Sequence, residues 1–353
     1  MKSFFHILIL ASLLIAAVAP TSAQKVGTTS LQFLKVMPNA RATGMGEAFV
    51  TLANGSDAMF WNPAGLSLAT TQEISTNMTI WLFDTKQSAL SYAYPLGDVG
   101  TIGVQLQYVD FGEIEETRVD HLGRVWPGDG SVYYNPGLTG RTFSPKSYLV
   151  GITYARNLTS KFSTGITIKY ASENLWNDAE VVVNVPGQLP GSFTQESYKT
   201  NARLFLFDFG MKYMTGYHSL QLAAAVQNFG PQVQFAKEYF PAPMIFRLGA
   251  SADLMGPDAL LSVNEKNRIT ASFDLIQPND YLQQMNLGFE YTFSDMFSLR
   301  SGYKFNYDTD GITFGAGVAH ELMNIPFTFD YSYGHMGEYL VAVHRISLGV
   351  KLQ

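Results

Sequence analysis

From residue 73 to residue 352 the chain divides into fourteen short segments in which apolar and polar side chains alternate. They cover 73–83, 86–95, 100–111, 146–157, 162–172, 202–214, 218–228, 244–254, 267–276, 284–293, 297–305, 312–320, 326–334 and 343–352. In 284–293, Met285, Leu287, Phe289, Tyr291 and Phe293 share one face, and Asn286, Gly288, Glu290 and Thr292 share the other. A period of two is that of a strand with two unlike faces. The polar positions are often small (Gly, Ser, Ala, Thr), whereas the outward face of a soluble sandwich would carry charge. No repeat of propeller or solenoid length is present. The pattern predicts an all-β fold, a 14-stranded antiparallel transmembrane β-barrel.

Length and composition agree with a lipid-facing wall. Most segments run 9 to 13 residues, against about 9–11 for a tilted strand crossing a bilayer. No stretch beyond the first residues approaches the roughly 18 apolar residues that mark a helical span, so a closed barrel is the remaining way to satisfy every backbone group in hydrocarbon. Aromatics reach 14%, with 25 Phe and 19 Tyr, and Asp, Glu, Lys and Arg together only 15%, where a soluble domain carries about 25% charged residues. The net charge of −6 offers no basic surface for nucleic acid. The absence of cysteine excludes disulfides and thiolate metal sites.

Residues 1–23 read as a signal peptide: Lys2 in the n-region, an apolar run over 7–18, and Thr21-Ser22-Ala23 before a cut at Gln24. The run is too short for an anchor helix, and Pro20 interrupts its end. The expected organisation is therefore a leader (1–23), a compact N-terminal segment (24–72) and a barrel (73–353).

Joint lengths set a polarity. The three longest joints, 112–145, 173–201 and 229–243, all fall after odd-numbered segments, and the joints at 97–99, 215–217, 294–296 and 321–325 are short. The exception is 255–266. Long outer loops and short periplasmic turns place the protein in a bacterial outer membrane with both termini periplasmic.

The lumen-facing positions include Asp208, Lys212, Arg247, Asp253, Arg268, Asp274, Glu290, Arg300, Lys304, Asp330, Arg345 and Lys351. Such a set could tune an ion channel, or pair internally and with an inserted plug, because isolated buried charges are costly. A barrel of this size is too wide for side chains alone to fill. Residues 24–70 do not alternate, and they contain Ala40-Arg41-Ala42-Thr43-Gly44-Met45-Gly46-Glu47-Ala48-Phe49-Val50 and Trp61-Asn62-Pro63-Ala64-Gly65-Leu66. Gly44 and Gly46 permit close backbone approach or positive φ, and Asn62-Pro63 favours a turn that Gly65 closes. A plug inside the cylinder and a soluble cap both explain such a segment.

With Leu31-Gln32-Phe33-Leu34-Lys35 ahead of them, these elements resemble the opening of the PorV/PorQ family. More distantly they are similar to FadL-type fatty-acid transporters, which share Asn-Pro-Ala-Gly-Leu. The resemblance implies a FadL-like barrel with a small N-terminal hatch in the lumen, carried by Arg41, Gly44, Met45, Gly46, Glu47, Trp61, Asn62, Pro63, Ala64 and Gly65. It also implies a part in type IX protein secretion: a barrel beside the secretion channel that receives cargo bearing a C-terminal signal and passes it to a surface attachment complex. The FadL likeness implies instead transport of a hydrophobic small molecule, which would need an apolar pocket between hatch and wall at Phe49, Met59, Phe60 and Trp61, residues better read as packing of the plug; a barrel that only anchors a surface complex is a third reading. Two departures stand out. The chain ends Val350-Lys351-Leu352-Gln353 rather than on the aromatic common to such barrels, and its long outer loops carry no family motif.

Nothing in the sequence groups into a catalytic or cofactor site. No pair among His121, His218, His320, His335 and His344 has metal-binding helix spacing, and His6 lies in the leader. Glu113, Glu115, Glu116, Asp120 and Asp129 form an acidic loop without calcium-loop spacing, better read as solvated. No nucleophile elbow, phosphate loop or dinucleotide fingerprint occurs. The expectation is a non-enzyme with no cofactor and no metal, whose partners are outer-membrane lipid and the secretion components or hydrophobic ligand named above.

Overall fold

The computed structural model describes residues 26–125, 128, 133–135, 137–176, 180–184, 193–309 and 311–352. The expected leader, its cleavage site at Gln24, Asp129 and the terminal Gln353 lie outside the described residues.

Fourteen antiparallel strands close on themselves. They are β1 (Gln72–Ile80), β2 (Lys86–Pro95), β3 (Thr101–Asp110), β4 (Lys146–Asn157), β5 (Phe162–Asn174), β6 (Asn201–Met214) and β7 (Gln221–Phe229). The second half is β8 (Ile245–Gly256), β9 (Asn267–Pro278), β10 (Gln284–Phe293), β11 (Phe297–Phe305), β12 (Ile312–Leu322), β13 (Ile325–Gly334) and β14 (Val343–Leu352). Each strand pairs with its sequence neighbours, and β1 closes on β14 with Gln72 opposite Leu352 and Ile80 opposite His344.

Alternation sets the two faces. In β3, Thr101, Gly103, Gln105, Gln107 and Val109 are buried towards the lumen, and Ile102, Val104, Leu106 and Tyr108 are exposed. Apolar-out and polar-in inverts the order of a water-soluble strand and matches a wall whose outer solvent is hydrocarbon. No helix among the described residues is long and apolar enough to cross a membrane.

The two rims differ. One carries tight turns, such as Ser294-Asp295 and Met323-Asn324, where both central residues have positive φ. That conformation matches the twist of paired strands. The other rim carries the long joints, which build hairpins of their own: Ile114–Thr117 with Leu138–Phe143, Glu180–Asn184 with Phe193–Ser197, and Val233–Phe235 with Glu238–Phe240. The 255–266 joint adds a two-residue strand, Ser262–Val263, parallel to the end of β8. Two strand bounds shift from the sequence expectation by three residues, the others by two or fewer. β1 stops at Ile80 because Trp81 N–H reaches Thr85 O (2.9 Å) across Phe83 and Asp84, both at positive φ, and β7 starts only at Gln221 after a turn through His218.

Residues 31–69 run inside the barrel as short helical pieces: 3-10 turns at Gln32–Lys35, Ser56–Phe60 and Pro63–Leu68, and one α-turn, α1 (Ala40–Gly44). Asn39 caps α1 by accepting from Ala42 N–H (2.9 Å), and Asn62 caps the last turn by accepting from Ala64 N–H (3.1 Å), with Pro63 at its first position. The segment threads from rim to rim. Ser30 N–H bonds Pro241 O at the long-loop rim (3.0 Å), whereas Ser67 bonds Asn157 at the short-turn rim (2.7 Å). The barrel's strand ends Gln72 and Leu352 therefore share the short-turn rim, while the chain's first described residues lie at the opposite one.

Candidate functional site in the barrel lumen

The N-terminal segment meets the wall backbone to backbone. A Cβ at Gly302 of β11 would overlap Gly46 N and Met45 C, and one at Gly288 of β10 would overlap Met45 O. On the far wall, a Cβ at Gly165 would overlap Pro63, and one at Gly210 would overlap Asn62 Oδ1. Gly46 itself needs its hydrogen side chain twice over, for a φ of +64° and for its approach to Tyr303 N. Gly44 lies against Gly315, and Gly65 against Ala53 O.

Charged groups join the same two surfaces. Arg41 holds Glu290 through Nε–Oε2 (2.9 Å) and Nη2–Oε1 (2.7 Å), and Glu290 also receives Arg300 Nε (2.5 Å), whose Nη1 reaches Asp330 (2.6 Å). Glu47 takes Lys304 Nζ at 2.6 Å, with Arg247 Nη2 at 3.9 Å. Asp274 Oδ2 accepts the backbone N–H groups of both Phe49 and Val50 (2.9 Å each). Arg345 Nε donates to Met37 O (2.9 Å). Asn62 Nδ2 donates to Val50 O and to Met211 O of β6 (3.1 Å each), so one amide ties two parts of the segment and the wall. Trp61 is fully buried, edge-on to Phe49 at 5.7 Å and beneath Arg247 at 5.1 Å.

Not all the sequence candidates join this network. Asp208 pairs with Lys169 and accepts from Asn228 N–H (2.8 Å), a bond within the wall at a bulge of β7. Arg268 is 40% exposed and bridges Asp253 (3.9 Å) and Asp295 (3.1 Å) at the short-turn rim. Lys351 reaches Glu73 (3.3 Å), and Lys212 is buried without a carboxylate partner among the described residues. Phe49, Met59, Phe60 and Trp61 are all buried in the cores of the segment, as packing of a plug requires and not as the lining of an open apolar pocket.

Two anchoring residues and one residue of the wall escaped the sequence reading. Asp57 accepts from Asn39 (2.5 Å), Ser75 (2.8 Å), Asn77 (3.2 Å) and Ser91 (3.0 Å). Asp280 holds the first helical turn through Thr29 (2.6 Å), Gln32 (3.2 Å) and Lys35 (2.6 Å). Burial pushes the Asp280 carboxyl up, but Lys35 and the two other donors outweigh it and hold the group below the ordinary aspartate range. Lys169, the partner of Asp208, sits at an inward position of β5 that parity alone would have found.

Cavities flank the segment on both sides. The larger, about 820 Å³, opens at the long-loop rim among Phe33, Val36, Phe111, Ile276, Arg247 and Lys304. The smaller, about 320 Å³, lies at the short-turn rim among Arg41, Asp57, Glu290 and Arg300. In the acidic loop, Glu116 is held by Arg141 (2.5 Å) and Asp120 by Arg118 (2.7 Å). No cluster of potential metal ligands occurs among the described residues.

A sequence model of the type IX secretion system protein PorV matches residues 19–280, about three quarters of the chain. The chain belongs to the PorV family. Its matched region spans the whole N-terminal segment and the wall through β9. No curated protein matches the sequence. Among solved structures, the Pseudomonas putida toluene transporter TodX is similar at 14% identity and a TM-score of 0.54, over 88% of this chain and 96% of that one. The monoaromatic hydrocarbon channel CymD aligns at 11% identity and a TM-score of 0.51 over 89% and 96% of the two chains. A FadL homologue of Pseudomonas aeruginosa aligns at 12% and 0.50 over 89% and 97%. At these identities the likeness is one of fold: a FadL-like outer-membrane barrel. PorV-family membership makes it an outer-membrane component of type IX secretion.

Proposed function

We propose that this PorV-family barrel receives secreted cargo at its long-loop rim and hands it on towards a surface attachment complex, without conducting it through its own lumen. The occupied lumen carries this reading: residues 31–69 lie inside the barrel and contact opposite walls through glycine-lined approaches and buried ion pairs. In this reading residues 24–72 act as a hatch, with Arg41, Glu47 and Asn62 as its anchors. The long-loop rim faces outward, because its hairpins offer the docking surface that short turns lack. The fold and family are of non-enzymatic kinds, and the lumen groups act as structural ties. Deleting the gene strands cargo that bears a C-terminal signal in the periplasm, and the wild-type gene restores surface display. Normal display in the deletion strain would reject the proposal.

A second reading, a site for a hydrophobic small ligand, is favoured by the 820 Å³ cavity, whose size falls within the range of ligand pockets. The similar folds of a toluene transporter and a monoaromatic hydrocarbon channel are consistent with it.

A further inference from the structure

The lipid-facing wall carries a groove of about 380 Å³ that runs across β4 to β8. Its floor is backbone at Gly165 and Gly210, the two residues against whose inner side Pro63 and Asn62 press. Thr164 and Ala224 leave the space because their side chains are small, and Phe209 and Phe246 stand beside it, 46% and 42% exposed. The hydroxyls that border the groove are spent: Thr164 Oγ1 donates to Gly210 O (3.1 Å), and the Tyr154 hydroxyl donates to Val99 O (2.6 Å). In hydrocarbon such a hollow is filled by an alkyl chain, since an empty one forfeits dispersion contacts.

Two cations at the short-turn rim identify the kind of chain. Arg156 lies directly opposite Thr164 in the β4–β5 pairing, at an outward position of β4. Lys161, in the turn between β4 and β5, extends its amine to Gly216 in the turn between β6 and β7. Neither side chain has an ion pair or a hydrogen bond among the described residues. The neighbouring short turns carry Asp98 and Asp258, and Asp258 is held by His218 (3.1 Å). Tyr213, paired with Phe162 at the start of β5, and Tyr217 are exposed at the same rim, the head-group level where barrels carry their aromatic girdles.

We propose that this groove holds one acyl chain of an anionic phospholipid, with the phosphate accepting from Arg156 and Lys161, in the leaflet that borders the short-turn rim. The proposal rests on the lipid-facing wall alone and is independent of both readings above. A charge on the lipid face is costly near mid-span and tolerated at the interface, where a basic pair without carboxylate partners meets lipid phosphate as its acceptor. A guanidinium suits that acceptor, because its N–H fork matches two phosphate oxygens. A neutral hydrocarbon would fill the groove and leave both cations unpaired. A free phosphate would pair the cations and leave the groove empty.

The test titrates dioleoylphosphatidylglycerol and dioleoylphosphatidylcholine, equal in their acyl chains, against the folded full chain in neutral detergent micelles, with bound lipid counted by native mass spectrometry. Phosphatidylglycerol binds at least about tenfold more tightly, the difference expected of two basic residues beside an anionic head. Arg156→Gln, and separately Lys161→Gln, reduce that preference to about threefold or less. Ala224→Phe, which fills the groove from the lipid side, weakens both lipids by about fivefold or more. Lys86→Gln combined with Lys146→Gln, at the opposite rim, changes neither affinity. Heat-modifiable migration on gels confirms that each variant is folded. Equal affinities for the two lipids, a preference unchanged in both charge variants, or one lost equally in the opposite-rim variant overturns the phosphate site. Undiminished binding of both lipids in Ala224→Phe overturns the groove. A dimer that Ala224→Phe dissociates, with lipid binding unaltered, overturns the proposal in favour of a second copy of this chain.

Discussion

At the scale of single residues, Gly302 and Asp280 show two ways in which the wall holds the N-terminal segment. A side chain at Gly302 has nowhere to go except into the Met45–Gly46 backbone. Gly302→Val is therefore expected to destabilise the barrel by about 1–3 kcal/mol, the usual cost of overpacking, read as a lower urea midpoint with unchanged strand content. Asp280 works through charge. Its folded-state pKa lies below the ordinary value because Lys35, Thr29 and Gln32 outweigh burial. The tether is then complete above the unfolded aspartate range, about 3.9, and is lost as the pH falls through the lower folded value. The amide protection of residues 29–35, taken relative to the intrinsic exchange rate at each pH, should be flat from about pH 7 to pH 5 and fall below about pH 4, and Asp280→Asn should abolish that dependence. Neither residue was legible in the sequence as an anchor. Gly302 is one of 31 glycines, and Asp280 belongs to a joint, where no periodicity says which way a side chain points.

At the scale of elements, strands were legible because lipid imposes a rule on every second residue. Ile152 and Thr153 of β4 illustrate it: Ile152 is 59% exposed to the outside, and Thr153 is buried and bonded to Thr167 (2.8 Å). Ile152→Arg should cost about 2–4 kcal/mol in a folding titration, as a charge on the lipid face near mid-span does. Thr153→Ser should cost well under that, because the hydroxyl survives. The rule weakens at strand ends. There Phe83 and Asp84 turn the chain through positive φ, and the extra hairpins of the long joints lie beyond the membrane, where no lipid enforces alternation. For lumen charges, parity gave the facing direction but not the partner. Arg268 shares a face with Arg300, yet it bridges rim aspartates, whereas Arg300 joins Glu290 and Asp330 inside. Arg41→Gln removes one of the two guanidinium partners of Glu290, and part of Arg41 is solvent-accessible. Its expected cost is about 1–3 kcal/mol by urea titration, below that of a fully buried pair.

At the scale of the whole molecule, a cylinder this wide is occupied through its middle by a segment anchored to both walls, with a cavity at each end. The segment also threads the barrel, from Ser30 at one rim to Ser67 at the other. Moving it aside as a unit would break ties on β5, β6, β9, β10 and β11 together. That geometry suits a barrel that works from its rim and not through its lumen, and it can be tested without knowing the cargo. Ion conductance of the purified protein in planar bilayers is the direct measurement. The intact chain should show no steady current, and a variant lacking residues 31–69 should conduct continuously. A stable, porin-like current through the intact protein would contradict the account.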